Sequence, residues 1–229
     1  SYTRALDAAR RSGRPALIAE ALYNLGFSPI EDESTPEARY IAGRPLFEEA
    51  RTLYREIGDD AGVARTTWAL ALAYGADGNI DAAAEAAMES AASNRRLGDP
   101  FGLGWSLHLV AGINVVRRRL DEAERDLREA LGLFTDNGDV SGIVLLVGDF
   151  AMLARARGDD DRMWRIVGAI ERARRETGLD VLNDPMESVE FQFPDVPPTD
   201  PAALAAFNAG LTWTIDDAVA FVLADPAEA

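Results

Sequence analysis

A five-residue turn, Gly-Asp-x-x-Gly, occurs three times in this chain at one fixed spacing, and that regularity limits what the chain can fold into. It stands at Gly58-Asp59-Asp60-Ala61-Gly62, Gly98-Asp99-Pro100-Phe101-Gly102 and Gly138-Asp139-Val140-Ser141-Gly142, so that 98 − 58 and 138 − 98 both give 40. A second turn keeps the period, at Gly78-Asn79-Ile80-Asp81, Arg118-Arg119-Leu120-Asp121 and Gly158-Asp159-Asp160-Asp161. A repeat of this length is one supersecondary unit that cannot bury its apolar face alone, so neighbours must stack.

Each period holds two stretches with helical spacing of apolar residues. In Leu120–Phe134, the residues Leu120, Ala123, Leu127, Ala130, Leu131 and Phe134 form one stripe, with Glu122, Arg125 and Glu129 opposite. Asp99 before Pro100 suits a helix start. Gly58, Gly98 and Gly138 suit helix ends, where a left-handed residue is needed. Ala and Leu dominate, and β-branched residues are sparse outside Ile143–Val147, which favours helix over strand. The spacing predicts helices over roughly 2–12, 15–27, 44–57, 61–76, 80–97, 101–117, 120–136, 140–157 and 160–177. The expected fold is all-α, an α-α superhelix built as a solenoid of helix-turn-helix repeats.

Residues 1–178 are expected to hold the repeats, starting mid-repeat, because Tyr2–Arg11 reads as a second helix whose first helix lies upstream in a longer protein. An acidic loop over 28–43, with Glu31-Asp32-Glu33, Pro29 and Pro36, accounts for the 45 residues between Gly13 and Gly58. Residues 179–229 are expected to form a proline-rich segment followed by capping helices near Pro201–Asn208 and Thr214–Ala224. Thr214 with Asp217 resembles a capping box.

Gly78-Asn79-Ile80-Asp81-Ala82-Ala83 resembles the turn and second-helix start of tetratricopeptide (TPR) repeats. Trp68, Leu70-Ala71 and Tyr74 sit near that motif's first-helix positions, and Ala83, Ala123 and Ala130 near its small packing positions. The match departs at Val110-Ala111 and Asn114, and the period exceeds the usual one. Long repeats of this kind resemble the C-terminal region of bacterial LuxR-type signalling ATPases and related cyclase-linked proteins. The tail is similar too, with Ala169–Arg174 and Gly178, then Phe207-Asn208-Ala209-Gly210, then Ile215–Val219. The resemblance implies a regulatory repeat domain without the family's ATPase or DNA-binding parts.

The residue inventory excludes several chemistries. Every basic residue is Arg, so a P-loop lysine or a Schiff-base lysine is absent; GC-rich coding in a bacterium would produce such a bias. With no Cys and one histidine, His108, thiol catalysis and Cys/His zinc sites are excluded. No G-x-S-x-G elbow is present, Gly102-Leu103-Gly104 lacks the rest of a dinucleotide fingerprint, and Asp159–Asp161 lacks the ligand alternation of an EF-hand. No catalytic residue, metal or cofactor is expected; a carboxylate hydrolase is the enzymatic alternative. A net charge of −16 opposes nucleic-acid binding. No apolar run reaches the ~18 residues of a membrane span, and a cytoplasmic protein is expected.

If first helices line an inner face, Tyr23, Arg65, Trp68, Trp105, His108, Met152 and Arg155 point toward a groove or its rim. Aromatic and Arg side chains are the usual anchors of binding surfaces. Trp68 and Trp105 also suit inter-helix packing. The expected partner is a protein, either another chain or another domain of the parent, with a small-molecule effector as the alternative. Apolar surface around Leu6 and Tyr23 would favour a homodimer.

Overall fold

The capping chemistry repeats as faithfully as the sequence. The carboxylate or amide oxygen of Asp59, Asn79, Asp99, Asp139 and Asp159 accepts the backbone N–H three residues on, at 2.9–3.1 Å. Each bond satisfies one of the four amide groups that a helix start leaves without a partner. At the helix ends Gly58, Gly78, Gly98, Gly138 and Gly158 adopt φ between 67 and 77°. Arg118 takes the same left-handed conformation, φ 59°, at the turn where the other two copies carry Gly78 and Gly158.

The computed structural model describes residues 2–28, 36–177 and 197–224. All regular structure among the described residues is α-helix. In chain order these are α1 (Tyr2–Ser12), α2 (Pro15–Gly26), α3 (Pro36–Ile57), α4 (Asp60–Ala76), α5 (Ile80–Leu97), α6 (Pro100–Val116), α7 (Leu120–Asn137), α8 (Val140–Arg157), α9 (Asp160–Thr177), α10 (Pro201–Gly210) and α11 (Ile215–Leu223). The chain is an all-α helical repeat. It divides into two compact units, Ser1–Val110 and Ala111–Ala229, with α6 running through the boundary.

In the first unit each of α1 to α5 packs on its chain neighbour. Leu6, Ala19, Leu22, Ala50 and Tyr54 form one buried cluster, and Phe47, Ala69, Leu70 and Ala73 another. Burying each Leu or Phe stabilises the fold by about 1.5–3 kcal/mol. Leu6, expected as apolar surface, is therefore core; the large apolar residues that α1 and α2 expose are Tyr2 and Leu17. In the second unit α7 packs on α8, α8 on α9, α9 on α10, and α11 on both α8 and α9. Leu127, Leu131, Phe134, Leu146, Ile166 and Ile170 are fully buried there.

The second glycine of the repeated turn has a different task from the first. A Cβ on Gly62 would stand 2.3 Å from the Tyr54 ring, and one on Gly142 would stand 2.7 Å from the Phe134 ring. The large residue near the end of one helix thus lies against a bare backbone at the start of the next. In the middle copy the large residue is Asn94, and the interface turns polar. Asn94 Nδ2 donates to Ser90 Oγ and Ser106 Oγ at 3.3 and 3.2 Å, those hydroxyls lie 2.9 Å apart, and Ser90 also donates to the Ala64 carbonyl at 3.0 Å. Buried polar groups are tolerated when they satisfy one another in this way.

One boundary differs from expectation. Residues Pro36–Gly43, expected within the inserted loop, are the first turns of α3. Pro36 opens that helix, where a missing N–H is harmless, and Glu37 complements the helix start. Pro45 lies inside α3, so Gly43-Arg44-Pro45 is not a helix start. Gly43 is needed for close packing instead, since a Cβ there would meet the Gly26 carbonyl oxygen of α2. The rest of that expected loop, 29–35, and most of the expected proline-rich segment, 178–196, lie outside the described residues.

Candidate functional site

The first unit carries a row of aromatic rings on alternate helices. Tyr23 and Phe27, one turn apart, come from α2 and its C-terminal residue; Trp68 comes from α4; Phe101, Trp105 and His108 come from α6. Ring centroids are 5.1 Å apart for Tyr23–Phe27, 6.2 Å for Phe27–Trp68, 6.3 Å for Trp68–Trp105, 6.2 Å for Phe101–Trp105 and 6.0 Å for Trp105–His108. Those spacings, with tilted or edge-on planes, suit the ring quadrupole. Trp68 Nε1 donates to the Trp105 carbonyl at 3.3 Å and ties α4 to α6.

Tyr23, Trp68, Trp105 and His108 are half-buried, so each packs with one side and leaves the other accessible. Phe101 is 54% exposed at one end of the row. The two tryptophans are therefore packing residues and surface residues at once.

A polar network lies beside Tyr23. The Arg65 guanidinium sits over the Tyr23 ring at 4.5 Å and donates to Glu20 and, at 2.8 Å, to Tyr54 Oη. Tyr54 Oη donates to Glu20 Oε2 at 2.9 Å. Burial opposes the Glu20 charge, but hydrogen bonds from Tyr54, Arg65 and Asn24 outweigh it and hold the carboxyl below its ordinary value. Burial pushes the Tyr23 phenol up to about 12, and burial with Glu20 as acceptor does the same for Tyr54. An ionised acid, two neutral phenols and a cation hold a fixed shape rather than transfer protons near neutrality.

The structure thus brings together Tyr23, Arg65, Trp68, Trp105 and His108 of the residues expected at a groove. Met152 and Arg155 belong to the second unit. Arg155 is exposed, but Met152 is 8% exposed and is a core residue of α8, not a groove residue. Its neighbours Ala151, Leu153 and Ala154 are buried as well. Sequence reasoning missed Phe27 and Phe101, although each lies four residues from a chosen aromatic on the same helix face.

The second unit has a different concentration of functional groups. Glu124 accepts from Arg128 Nη2 at 2.8 Å and Arg157 Nη1 at 2.7 Å, and Arg157 Nη2 reaches Asp121 at 2.9 Å. Arg162 Nη2 donates to the Phe221 and Val222 carbonyls, both at 3.1 Å, and its guanidinium lies 4.7 Å from the Phe221 ring centroid. Arg128 Nη1 donates to the Leu223 carbonyl at 2.7 Å. The C-terminal carbonyls of α11 are therefore held by two cations, as the helix dipole favours. Glu124, Phe150, Leu153, Arg157 and Arg162 line a cavity of about 430 Å³. Among the described residues no cluster of three His, Asp or Glu could hold a metal ion, and no helix is long and apolar enough to cross a membrane.

No protein-family model matches the chain, and no curated protein matches it. Among solved structures, BtubC (BKLC) from P. vanneervenii is similar, with a TM-score of 0.63 and 19% identity, over 96% of this chain and 85% of that one. At that identity the likeness shows the helical fold alone.

Proposed function

We propose that this chain is a non-catalytic interaction module that binds a protein, either a separate chain or another domain of its own parent, along the aromatic row of α2, α4 and α6. The observation that carries this reading is the row itself. Rings prepaid in position by packing against one another present large apolar area with little conformational entropy left to lose. Arg65, fixed over Tyr23, adds a cation beside them. The finer reading is a tetratricopeptide-like regulatory domain of a larger bacterial, cytoplasmic signalling or transcriptional regulator. It is supported by the TPR-like turn at Gly78–Ala83 and the similar tail. The charge of −16 favours a partner with basic groups over a nucleic acid.

A photo-crosslinking side chain in place of Phe101, introduced in the source cell or into the full-length parent, tests the row. A discrete crosslinked protein should form and should diminish when Trp105→Ala is added. The same group in place of Met88, exposed on α5, should give no such product. Equal products from both positions, or none from Phe101, would reject the reading. The half-burial of Trp68 and Trp105 also suits a small effector stacked on the same rings. A compound whose thermal stabilisation is lost in Trp68→Ala would favour that second reading.

A further inference from the structure

We infer that the open face of α1 is a docking surface for a polypeptide hairpin of two helices, one that sets a glycine against Tyr2 and a carboxylate against Arg4. The helices α1, α3, α5 and α7 each end at a left-handed glycine, Gly13, Gly58, Gly98 and Gly138, and counting back from it aligns them. Eleven residues before the glycine stand Tyr2, Phe47, Ala87 and Leu127; eight before it stand Ala5, Ala50, Ser90 and Ala130. In α3, α5 and α7 both positions are at most 1% exposed. In α1, Tyr2 is 55% exposed and Ala5 is exposed as well. A face that its three equivalents bury completely is bare on α1, and a helical repeat buries such faces on a neighbour of its own kind.

The covering of α3 shows the shape required. The Phe47 ring lies against α2 at Gly26, where a Cβ would run into the ring. A ring at the same register in α1 calls for the same small residue opposite it. The charges supply the other half of the signature. Nine residues before the end glycine, α3 and α5 carry Glu49 and Glu89; three before it, α1 and α3 carry Arg10 and Arg55. Each arginine pairs with the glutamate of the next of these helices, Arg10 with Glu49 at 3.3 Å and Arg55 with Glu89 at 3.5 Å. In α1 the glutamate's place is taken by Arg4, exposed and without an ion pair among the described residues. A hairpin stacked on α1 must therefore present an acid where α1 and α3 present Arg10 and Arg55, since an arginine there would meet Arg4.

A second copy of the chain fits poorly. Two copies meeting through α1 would oppose Arg4, Arg10 and Arg11, with Asp7 alone to offset them on each side. Stacking in series would bring Arg175, three periods on from Arg55, against Arg4, and α10 already covers α9.

The chain has no Cys, so Ala5→Cys places a single reporter thiol on this face. The probe is a duplicate of residues 2–46 joined directly ahead of Tyr2, which then follows residue 46 as Phe47 does. With Arg10→Glu made in the duplicate, the thiol should react with a maleimide at least tenfold more slowly than in the unextended chain. Keeping Arg10 in the duplicate should cut that protection roughly three- to tenfold, and Gly26→Leu in the duplicate should abolish it. With Arg4→Glu in the chain the order should reverse, the duplicate that keeps Arg10 now protecting better, which a general change in folding would not produce. Trp105→Ala should alter none of these rates, which separates this inference from the proposed function. An unprotected thiol in every extended chain, protection indifferent to Gly26→Leu, or no reversal with Arg4→Glu would each overturn the inference. So would sedimentation of the unextended chain as a dimer in which the thiol is already protected.

Discussion

Arg118 shows how one residue can depart from the repeat and leave a measurable trace. Its φ of 59° places a Cβ-bearing residue where Gly78 and Gly158 stand in the other copies, and a left-handed L-residue costs roughly 1–2 kcal/mol. Against that, Arg118 Nη1 donates to the Ala156 carbonyl at 2.9 Å in an exposed setting, a bond worth ~1 kcal/mol at most. The backbone term is the larger, so Arg118→Gly should leave stability unchanged or raise it by up to about 1 kcal/mol. Denaturant melts would show the midpoint moving upward; a clear fall would mean the surface bond outweighs the strain. Single residues also set the acid response. Hydrogen bonds from Arg174 and Arg175 hold Glu171 below its ordinary value against opposing burial, and Glu20 and Glu124 are likewise lowered. A carboxyl whose folded value is depressed contributes stability that is complete above its unfolded value, 4.5 here, and is lost as pH falls through the folded value. Glu171→Gln should therefore flatten the loss of stability below pH 4.5. An acid limb of unchanged steepness would show that Glu171 does not take part.

At the scale of helices, the repeated turn was legible because each of its fixed letters has a separate physical job. The first glycine takes a left-handed φ, the Asp caps the next helix, and the second glycine lets two helices approach. That division predicts opposite signs for one substitution at two helical glycines. Gly142→Ala puts a Cβ 2.7 Å from the Phe134 ring and should destabilise by ~1–3 kcal/mol, as overpacked cores do. Gly132→Ala, in α7 with nothing within 4 Å, should stabilise by ~0.5–1 kcal/mol through helix propensity alone. Thermal melts of the two variants check this, and equal shifts would refute the close-approach role. The start of α3 was not legible, since Gly43-Arg44-Pro45 carries the letters of a turn while its glycine serves the contact with Gly26. The cationic cluster was hidden for another reason. Glu124–Arg157 stands two periods on from Arg44–Asp77 with the polarity reversed, so the repeat aligns the pair while the charges disagree. Met152 was misplaced because a helix buried on most of its circumference, as α8 is, has no single apolar stripe to separate core from groove.

Across the whole chain, 39 acidic residues face 23 arginines, and two electrostatic effects of opposite sign compete. Salt weakens attractive ion pairs, which would lower stability, and it weakens the mutual repulsion of a net charge of −16, which would raise it. The geometry decides between them. Pairs such as Arg10–Glu49 and Arg55–Glu89 have both side chains about half exposed, and exposed pairs are worth only ~0–1 kcal/mol each. The better-shielded pairs, Glu124 with Arg128 and Arg157, are screened little by added salt. Repulsion among the excess acids, spread over the surface, is the part that salt reaches most readily. The melting temperature should therefore rise between about 10 mM and 200 mM sodium chloride, across which the Debye length falls from about 30 Å to below 10 Å. The rise should amount to a few degrees, corresponding to roughly 1 kcal/mol in a chain of this size. Potassium chloride should act alike, because the effect is ionic strength and not a bound ion. A fall in melting temperature over that range would mean that the exposed arginine pairs hold the fold together more than the excess acids push it apart.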